Sequence, residues 1–236
     1  MRTAMGAFLD RPNTAKTNAS GALAGVRYAV AAMQGYRAAM EDRHVALERL
    51  GDGPLAGWAL FAVLDGHAGV SAAHSTAAHL PRALRALDAL RATGAQSQPL
   101  PQSSTSVSGR HSGERERDDE NERLVKAIVS TFREADESLR VELESAADRS
   151  GCTVCALLIS CDRLVFANCG DSRAVLVRDR KAAFGTEDHK PANDRERERT
   201  RLRQVSVSPV FTPEPSRLTA PLQASRRRTG EWCSTA

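Results

Sequence analysis

The stretch Trp58-Ala-Leu-Phe-Ala-Val-Leu-Asp65-Gly66-His67 joins seven apolar residues directly to an acidic residue, a glycine and a histidine. A short apolar run that ends in a turn signal predicts a buried strand. Asp65 would then lie at the open end of that strand, and Gly66 would let the backbone approach a bound ion or ligand closely. Histidine is suited to proton transfer near neutral pH, which makes His67 a candidate acid or base. Taken alone, this stretch is better interpreted as a strand that ends in an ordinary Asp-Gly turn. Whether it belongs to a functional site depends on the motifs elsewhere in the chain.

A second candidate group precedes this strand. Alternating apolar residues predict a first strand over Val26–Met33, and Arg37, Glu41 and Asp42 follow it closely. An arginine fork can hold two phosphate oxygens while carboxylates hold a hard cation beside it. A surface ion pair on a turn explains the same residues equally well. The strand predicted over 44–50 forms a hairpin with the Trp58 strand through a Gly-Pro turn.

The middle of the chain predicts helices that flank an inserted loop. Residues 69–80 favour a helix that Pro81 ends, with a second helical piece up to about Arg91. The serine-rich stretch that follows cannot bury a core, so it is predicted to be a loop. Beyond it, apolar residues at helical spacing predict an amphipathic helix. These residues are Leu124, Ile128, Phe132, Ala135 and Leu139.

Three strands are predicted after Gly151, over 153–159, 164–168 and 173–178, joined tightly enough to form an antiparallel meander. The mixture of helices and antiparallel strands indicates an α+β fold. Cys152 and Cys155 have the spacing of a metal or redox pair. An odd separation on a strand points them to opposite faces, which favours buried small hydrophobic residues instead.

Composition and charge argue against a nucleic-acid-binding protein and against a membrane-spanning protein. The 236 residues carry a net charge of +4; from Lys190 onward ten Lys/Arg stand against five Asp/Glu, giving that tail +5. The basic tail has little aromatic content, so we expect no nucleic-acid partner. No apolar run approaches the roughly 20 residues of a membrane span, and the start has no signal-peptide pattern. We expect a cytoplasmic or nuclear monomer without a transmembrane segment.

Taken together, six blocks resemble the metal-dependent type 2C protein serine/threonine phosphatases, specifically the alpha/beta-like branch. They occur in family order and cover about residues 5–199, apart from the inserted loop. The blocks are MGAFLDRP (5–12), AMQGYRAAMEDRH (32–44), FAVLDGHAG (61–69), SGCTVCALLI (150–159), LVFANCGDSRAVL (164–176) and TEDHKP (186–191).

The resemblance implies an antiparallel β-sandwich flanked by helices, the four-layer αββα phosphatase fold, and a binuclear Mg²⁺ or Mn²⁺ centre. The implied activity is hydrolysis of phosphoserine and phosphothreonine in phosphorylated proteins. By position, Arg37 would bind phosphate and His67 would act as general acid. Glu41, Asp65 and the Gly66 carbonyl would hold metals. The supporting residues would be Asp42, Thr153 and Asp171, with Asp42 supporting a metal-bound water and Asp171 a looser additional metal.

After Pro191 the sequence departs from the family pattern. The family completes its metal site with two further aspartates, whereas no aspartate follows Asp194 here. We therefore expect an N-terminal arm over 1–22, a partial phosphatase domain over 23–199 with the serine-rich loop at 93–121, and a divergent, disordered tail over 200–236. The fold would be incomplete on its C-terminal side. The alternative function is an inactive relative that binds phosphorylated partners through Arg37. Membrane association by myristoylation is expected only if translation starts at Met5.

Overall fold

A computed structural model describes residues 8–23, 26–87, 110–202 and 210–211. Within these ranges the α-helices are α1 (Ser71–Arg85), α2 (Arg110–Ser145) and α3 (Asp194–Leu202). The strands are β1 (Phe8–Leu23), β2 (Val26–Arg37), β3 (Arg43–Leu47), β4 (Ala59–Leu64), β5 (Gly66–His67), β6 (Gly151–Cys152), β7 (Val154–Ile159), β8 (Leu164–Cys169), β9 (Val175–Arg178), β10 (Lys181–Gly185) and β11 (Val210–Phe211).

A five-stranded antiparallel sheet in the order β11-β8-β7-β4-β3 forms the centre of the fold. The predicted hairpin is confirmed: β3 pairs with β4, and the Leu50 amide donates to the Trp58 carbonyl oxygen at 2.7 Å. Gly53 turns the chain with a φ of +59°, a conformation that glycine adopts without strain. The apolar run before Asp65 therefore forms an interior strand, β4, between β3 and β7.

Helices α1 and α2 cover one face of this sheet, which we call the closed face. Alternate residues of β4 point into it, and Leu124, Ile128 and Phe132 of the predicted α2 stripe pack there. Its fully buried side chains include Leu60, Leu64, Leu80, Leu84, Leu124, Ile128, Leu158 and Val165. The prediction of an α+β fold with antiparallel strands flanked by helices is confirmed.

The opposite face, which we call the open face, is touched by two separate two-stranded ribbons. The β1–β2 ribbon places Tyr28 against Phe61, with ring centroids 4.9 Å apart. The β9–β10 ribbon places Phe184 against Phe166 at the same separation. Two ribbons thus lie where the resemblance implies a second sheet, and the layering of the sandwich is present in part.

Two predicted elements differ from the structure. Helix α1 continues through Pro81, because Pro81 is buried between Leu80 and Leu84 and this packing outweighs a lost backbone hydrogen bond. The expected three-strand meander is wrong in its last step. Strand β9 pairs with β10 instead of β8, since Gly170, with a φ of +109°, redirects the chain after β8.

The expected arm, loop and tail contain secondary structure where the structure describes them. The arm over 1–22 is a strand from Phe8 onward, paired continuously with β2 from Lys16 and irregularly before it. Helix α2 begins at Arg110, so residues 110–121 are helical, and the rest of the serine-rich loop lies outside the described residues. Within the tail, β11 pairs with β8 and extends the sheet. No helix in the described part of the chain has the length and apolar character needed to cross a membrane.

Candidate active site

The candidate residues converge at one end of the open face. Arg37 ends β2, Glu41 and Asp42 lie in the loop before β3, and Asp65 stands between β4 and β5. Together they border a cleft of about 160 Å³. Its lining residues are Met33, Gln34, Arg37, Ala39, Met40, Glu41, Asp42, Asp65 and Gly66.

Gly66 allows the turn after Asp65 to pack closely against the loop that carries Glu41 and Asp42. A Cβ placed on it would lie 2.3 Å from the Glu41 carbonyl oxygen and 3.2 Å from the Ala73 Cβ. Real side chains do not tolerate such a distance to backbone, so only glycine fits. The Asp-Gly turn is therefore a close contact between two chain segments that brings Asp65 beside the Glu41 loop.

Arg37 and Glu41 form an ion pair across the cleft, with Arg37 Nη2 2.9 Å from Glu41 Oε2. The second carboxylate oxygen of Glu41 accepts a hydrogen bond from the Gly69 amide at 2.8 Å. Both oxygens of Glu41 are thus held in place, while about half of the Arg37 side chain remains exposed. Both interpretations of this group stay open, because the residues form an ion pair and also line a cleft.

Negative charge accumulates around Asp65. Desolvation raises the pKa of its carboxyl group, and the nearby Asp42 and Asp171 carboxylates raise it further. His67 and Arg37 act in the opposite direction but do not cancel the effect. An excess of carboxylates at one point favours binding of a cation.

Thr153 connects Asp65 to the loop that carries Asp171. The Thr153 amide donates to the Asp65 carbonyl oxygen at 2.9 Å, and the Asp65 amide donates to Thr153 Oγ1 at 3.3 Å. Thr153 Oγ1 also shares a hydrogen bond of 2.6 Å with Ser172 Oγ. Gly170 packs on this threonine so closely that a Cβ would lie 2.5 Å from Thr153 Cγ2.

The loop carrying Asp171 is itself held by charged pairs. Arg173 Nε donates to Asp188 Oδ1 at 2.8 Å, which lowers the pKa of Asp188. Lys190 Nζ lies 3.4 Å from Asp188 Oδ2 and 3.9 Å from Asp171 Oδ2. The last predicted block, 186–191, therefore supports the site from the side without lining the cleft.

Five of the eight predicted site residues line the cleft. Of the remaining three, Asp171 is close enough to influence the Asp65 carboxyl group, Thr153 bonds the Asp65 backbone, and His67 lies on β5 beside it. Sequence reasoning missed Met33, Gln34 and Ser172. All three lie inside the blocks that resemble the family, at 32–44 and 164–176, so these blocks were the available signal.

A model of the family described as Protein phosphatase 2C matches residues 26–227. The chain belongs to the protein phosphatase 2C family. The matched range continues beyond residue 199, where the resemblance seen in the sequence ends.

Among curated relatives, protein phosphatase 1B of Homo sapiens is 41% identical over 197 residues, covering 83% of this chain and 37% of that protein. Protein phosphatase 1A of Homo sapiens is 42% identical over the same length, covering 83% of this chain and 46% of that protein. This chain therefore spans less than half the length of these relatives.

Solved structures support the fold. The serine-threonine phosphatase 2C of Toxoplasma gondii superposes with a TM-score of 0.56 at 19% identity, covering 84% of this chain and 58% of the other. A sex determining protein of C. elegans gives a TM-score of 0.52 at 18% identity, covering 85% of this chain and 41% of the other. At these identities the likeness shows the fold alone.

The protein phosphatase 2C family is metal-dependent, and the donors in the cleft agree with that in kind. They are carboxylate oxygens, which suit Mg²⁺ or Mn²⁺ better than zinc. Burial, and then repulsion from Asp42 and Asp171, raises the pKa of Asp65. Within the described ranges, however, no three acidic, histidine or cysteine side chains come together closely enough to hold a metal ion. The residues present fit a hard cation chemically, and they do not assemble a two-ion centre.

Proposed function

We propose that this chain is a protein serine/threonine phosphatase that hydrolyses phosphoserine and phosphothreonine in phosphorylated proteins, with Mg²⁺ or Mn²⁺ as cofactor. The observation that carries the proposal is the cleft in which Arg37 faces Glu41, Asp42 and Asp65, in a chain of the protein phosphatase 2C family. A guanidinium beside clustered carboxylates offers one group for phosphate and another for a cation.

Each residue has a separate task in this proposal. Arg37 binds the substrate phosphate through its planar fork, for which it exchanges its contact with Glu41. Glu41, Asp65 and the Gly66 carbonyl would hold the cation, and Asp42 and Asp171 would add negative charge beside them. A bound Mg²⁺ or Mn²⁺ supplies positive charge and lowers the pKa of water.

Hydrolysis itself needs a proton donor. The oxygen of water forms a bond to phosphorus while the bond from phosphorus to the seryl oxygen breaks, and inorganic phosphate and a free serine result. His67 gives its proton to the leaving seryl oxygen and regains one from solvent. His67 is exposed on β5 next to Asp65, where a substrate can reach it.

The test is turnover of a phosphothreonine peptide with Mn²⁺, with EDTA, and in two arginine variants. Arg37→Ala is expected to lower kcat/KM about 100-fold, since one positioned donor to the reacting phosphate is lost. Arg27→Ala is the matched control, because Arg27 lies on the same strand at its other end; it should change kcat/KM less than about twofold. Full turnover in EDTA, or an unchanged Arg37→Ala, would contradict the proposal.

A second candidate is a binding module for phosphorylated partners, favoured by the absence of an assembled metal cluster among the described residues. It predicts that the purified chain binds the phosphopeptide without turning it over at millimolar Mn²⁺. Arg37→Ala would then weaken binding while Arg27→Ala would not. Measuring binding and turnover on one sample separates the two candidates.

A further inference from the structure

Strands β5 and β6 form a ribbon of only two residue pairs, Gly66 with Cys152 and His67 with Gly151. The ribbon places Gly151 directly opposite His67 across the antiparallel pair. Directly paired residues have side chains that point to the same side, so the position of Gly151 faces the imidazole of His67.

The imidazole lies over the bare Cα of Gly151. A Cβ built on Gly151 would be 2.5 Å from His67 Nε2, 2.8 Å from Cε1 and 3.5 Å from Cδ2. Three ring atoms within this range show that the ring edge rests on the glycine itself. Any other residue at position 151 would force the ring into another orientation, because χ rotation of His67 is the softest response available.

Other restraints on the ring are weak. In the described part of the chain, the imidazole of His67 makes no hydrogen bond to another residue. Asp65 interacts with it through charge alone, an attraction that fixes no ring direction. The side chain is also exposed to solvent. Among the described residues, the contact with Gly151 is therefore the main determinant of where the ring nitrogens point.

We propose that Gly151 is a positioning residue for His67: it provides the surface on which the imidazole rests and so directs the proton that the ring donates. This inference rests on the proposed function, in which His67 protonates the leaving oxygen. It assigns Gly151 no contact with the substrate.

The role has a chemical signature. A misdirected proton donor slows reactions in proportion to the basicity of the leaving group. A serine or threonine alkoxide needs the proton, whereas p-nitrophenolate leaves without it. Gly151→Ala should lower kcat for a phosphothreonine peptide about 10-fold or more and change kcat for p-nitrophenyl phosphate less than about threefold. Equal losses on both substrates would overturn the proposal.

Gly57→Ala is the matched control, since a Cβ on Gly57 meets nothing within 4 Å. Gly57→Ala should leave kcat unchanged for both substrates. The double variant His67→Ala/Gly151→Ala should be no slower than His67→Ala, because Gly151 acts only through the ring. A further loss in the double variant would contradict that route. If Gly151→Ala fails to fold, the double variant should fold again, as the clash is gone; failure of both would also contradict it.

A readout without catalysis separates this inference from the proposed function. In the wild-type protein, NMR should show a nuclear Overhauser effect between the His67 ring protons and the Gly151 α-protons, in EDTA and without substrate. The effect should persist in Gly57→Ala, and the ring resonances should shift in Gly151→Ala. If the wild type shows the contact but no turnover, only the proposed function fails. If it turns substrate over and lacks the contact, only the positioning role fails.

Discussion

On the closed face of the five-stranded sheet, Leu60 is fully buried beneath helices α1 and α2, whereas three residues later on the same strand Val63 keeps 49% of its surface exposed on the open face. Both residues belong to β4, and both are aliphatic. What differs is the cover, since two helices pack on one side and two narrow ribbons touch the other.

The same alternation that exposes Val63 also presents Asp65. Phe61, Val63 and Asp65 follow each other at every second position, so Asp65 continues the open face at the end of the strand. A charged cleft needs access to solvent, which a face packed with helices does not give. We infer that stability resides mainly on the closed face and chemistry on the open face.

The largest loss of stability is expected from a substitution that removes a buried side chain from the closed face. Leu60→Ala should reduce the free energy of unfolding by about 3 kcal/mol, because a fully buried leucine leaves a cavity between strand and helices. Val63→Ala, on the same strand and facing the other way, should cost less than about 1 kcal/mol. Urea unfolding followed by circular dichroism measures both. Equal losses would show that the two faces contribute alike.

A smaller effect concerns the charged contact at the edge of the closed face. Arg163 is 5% exposed and its Nη2 lies 2.5 Å from Glu120 Oε2 on α2. Among the described residues, Glu120→Gln would leave the buried guanidinium with one carboxylate partner, Asp162, 3.7 Å away, so we expect a loss of about 2 kcal/mol.

The control for this change lies on the same helix. Glu122 pairs with Lys126 at 2.7 Å, but both side chains are more than 60% exposed. Glu122→Gln should therefore leave the urea midpoint of unfolding unchanged within error. Similar losses in both variants would mean that burial of Arg163 does not strengthen its pair.

The sequence was sufficient where the determinants are local. The β3–β4 hairpin follows from an apolar run and a Gly-Pro turn, and the packed face of α2 follows from the spacing of Leu124 and Ile128. The candidate residues before and after these strands were found because the quoted blocks place them at strand ends. Arg37, Glu41 and Asp65 indeed meet in one cleft.

The remaining features depend on tertiary contacts that the sequence does not display. Pro81 stays inside a helix because buried neighbours hold it there. Strand β9 changes partner because of the backbone conformation of Gly170. Nothing in the sequence around Gly151 indicates its contact with His67, because the two residues are far apart along the chain and meet only in the β5–β6 ribbon. Propensity and spacing describe neighbours along the chain, and these outcomes depend on neighbours in space.

The smallest expected effect sharpens the contrast at the open face itself. Because folding raises the pKa of Asp65, its charged form opposes folding at pH 7. Asp65→Asn, measured in EDTA, should therefore increase the free energy of unfolding, by roughly 0.5 kcal/mol since the side chain is exposed to screening water. The gain should shrink as the pH falls through the folded pKa toward the ordinary value of 3.8.

Asp188→Asn should change stability with the opposite sign, since the pKa of Asp188 is lowered by Arg173 and its charge favours folding. Its loss should be present at pH 7 and disappear in acid. Urea titrations of both variants between pH 3 and 7 check the signs, and a loss of stability in Asp65→Asn at pH 7 would show that the open face does not concentrate unbalanced negative charge.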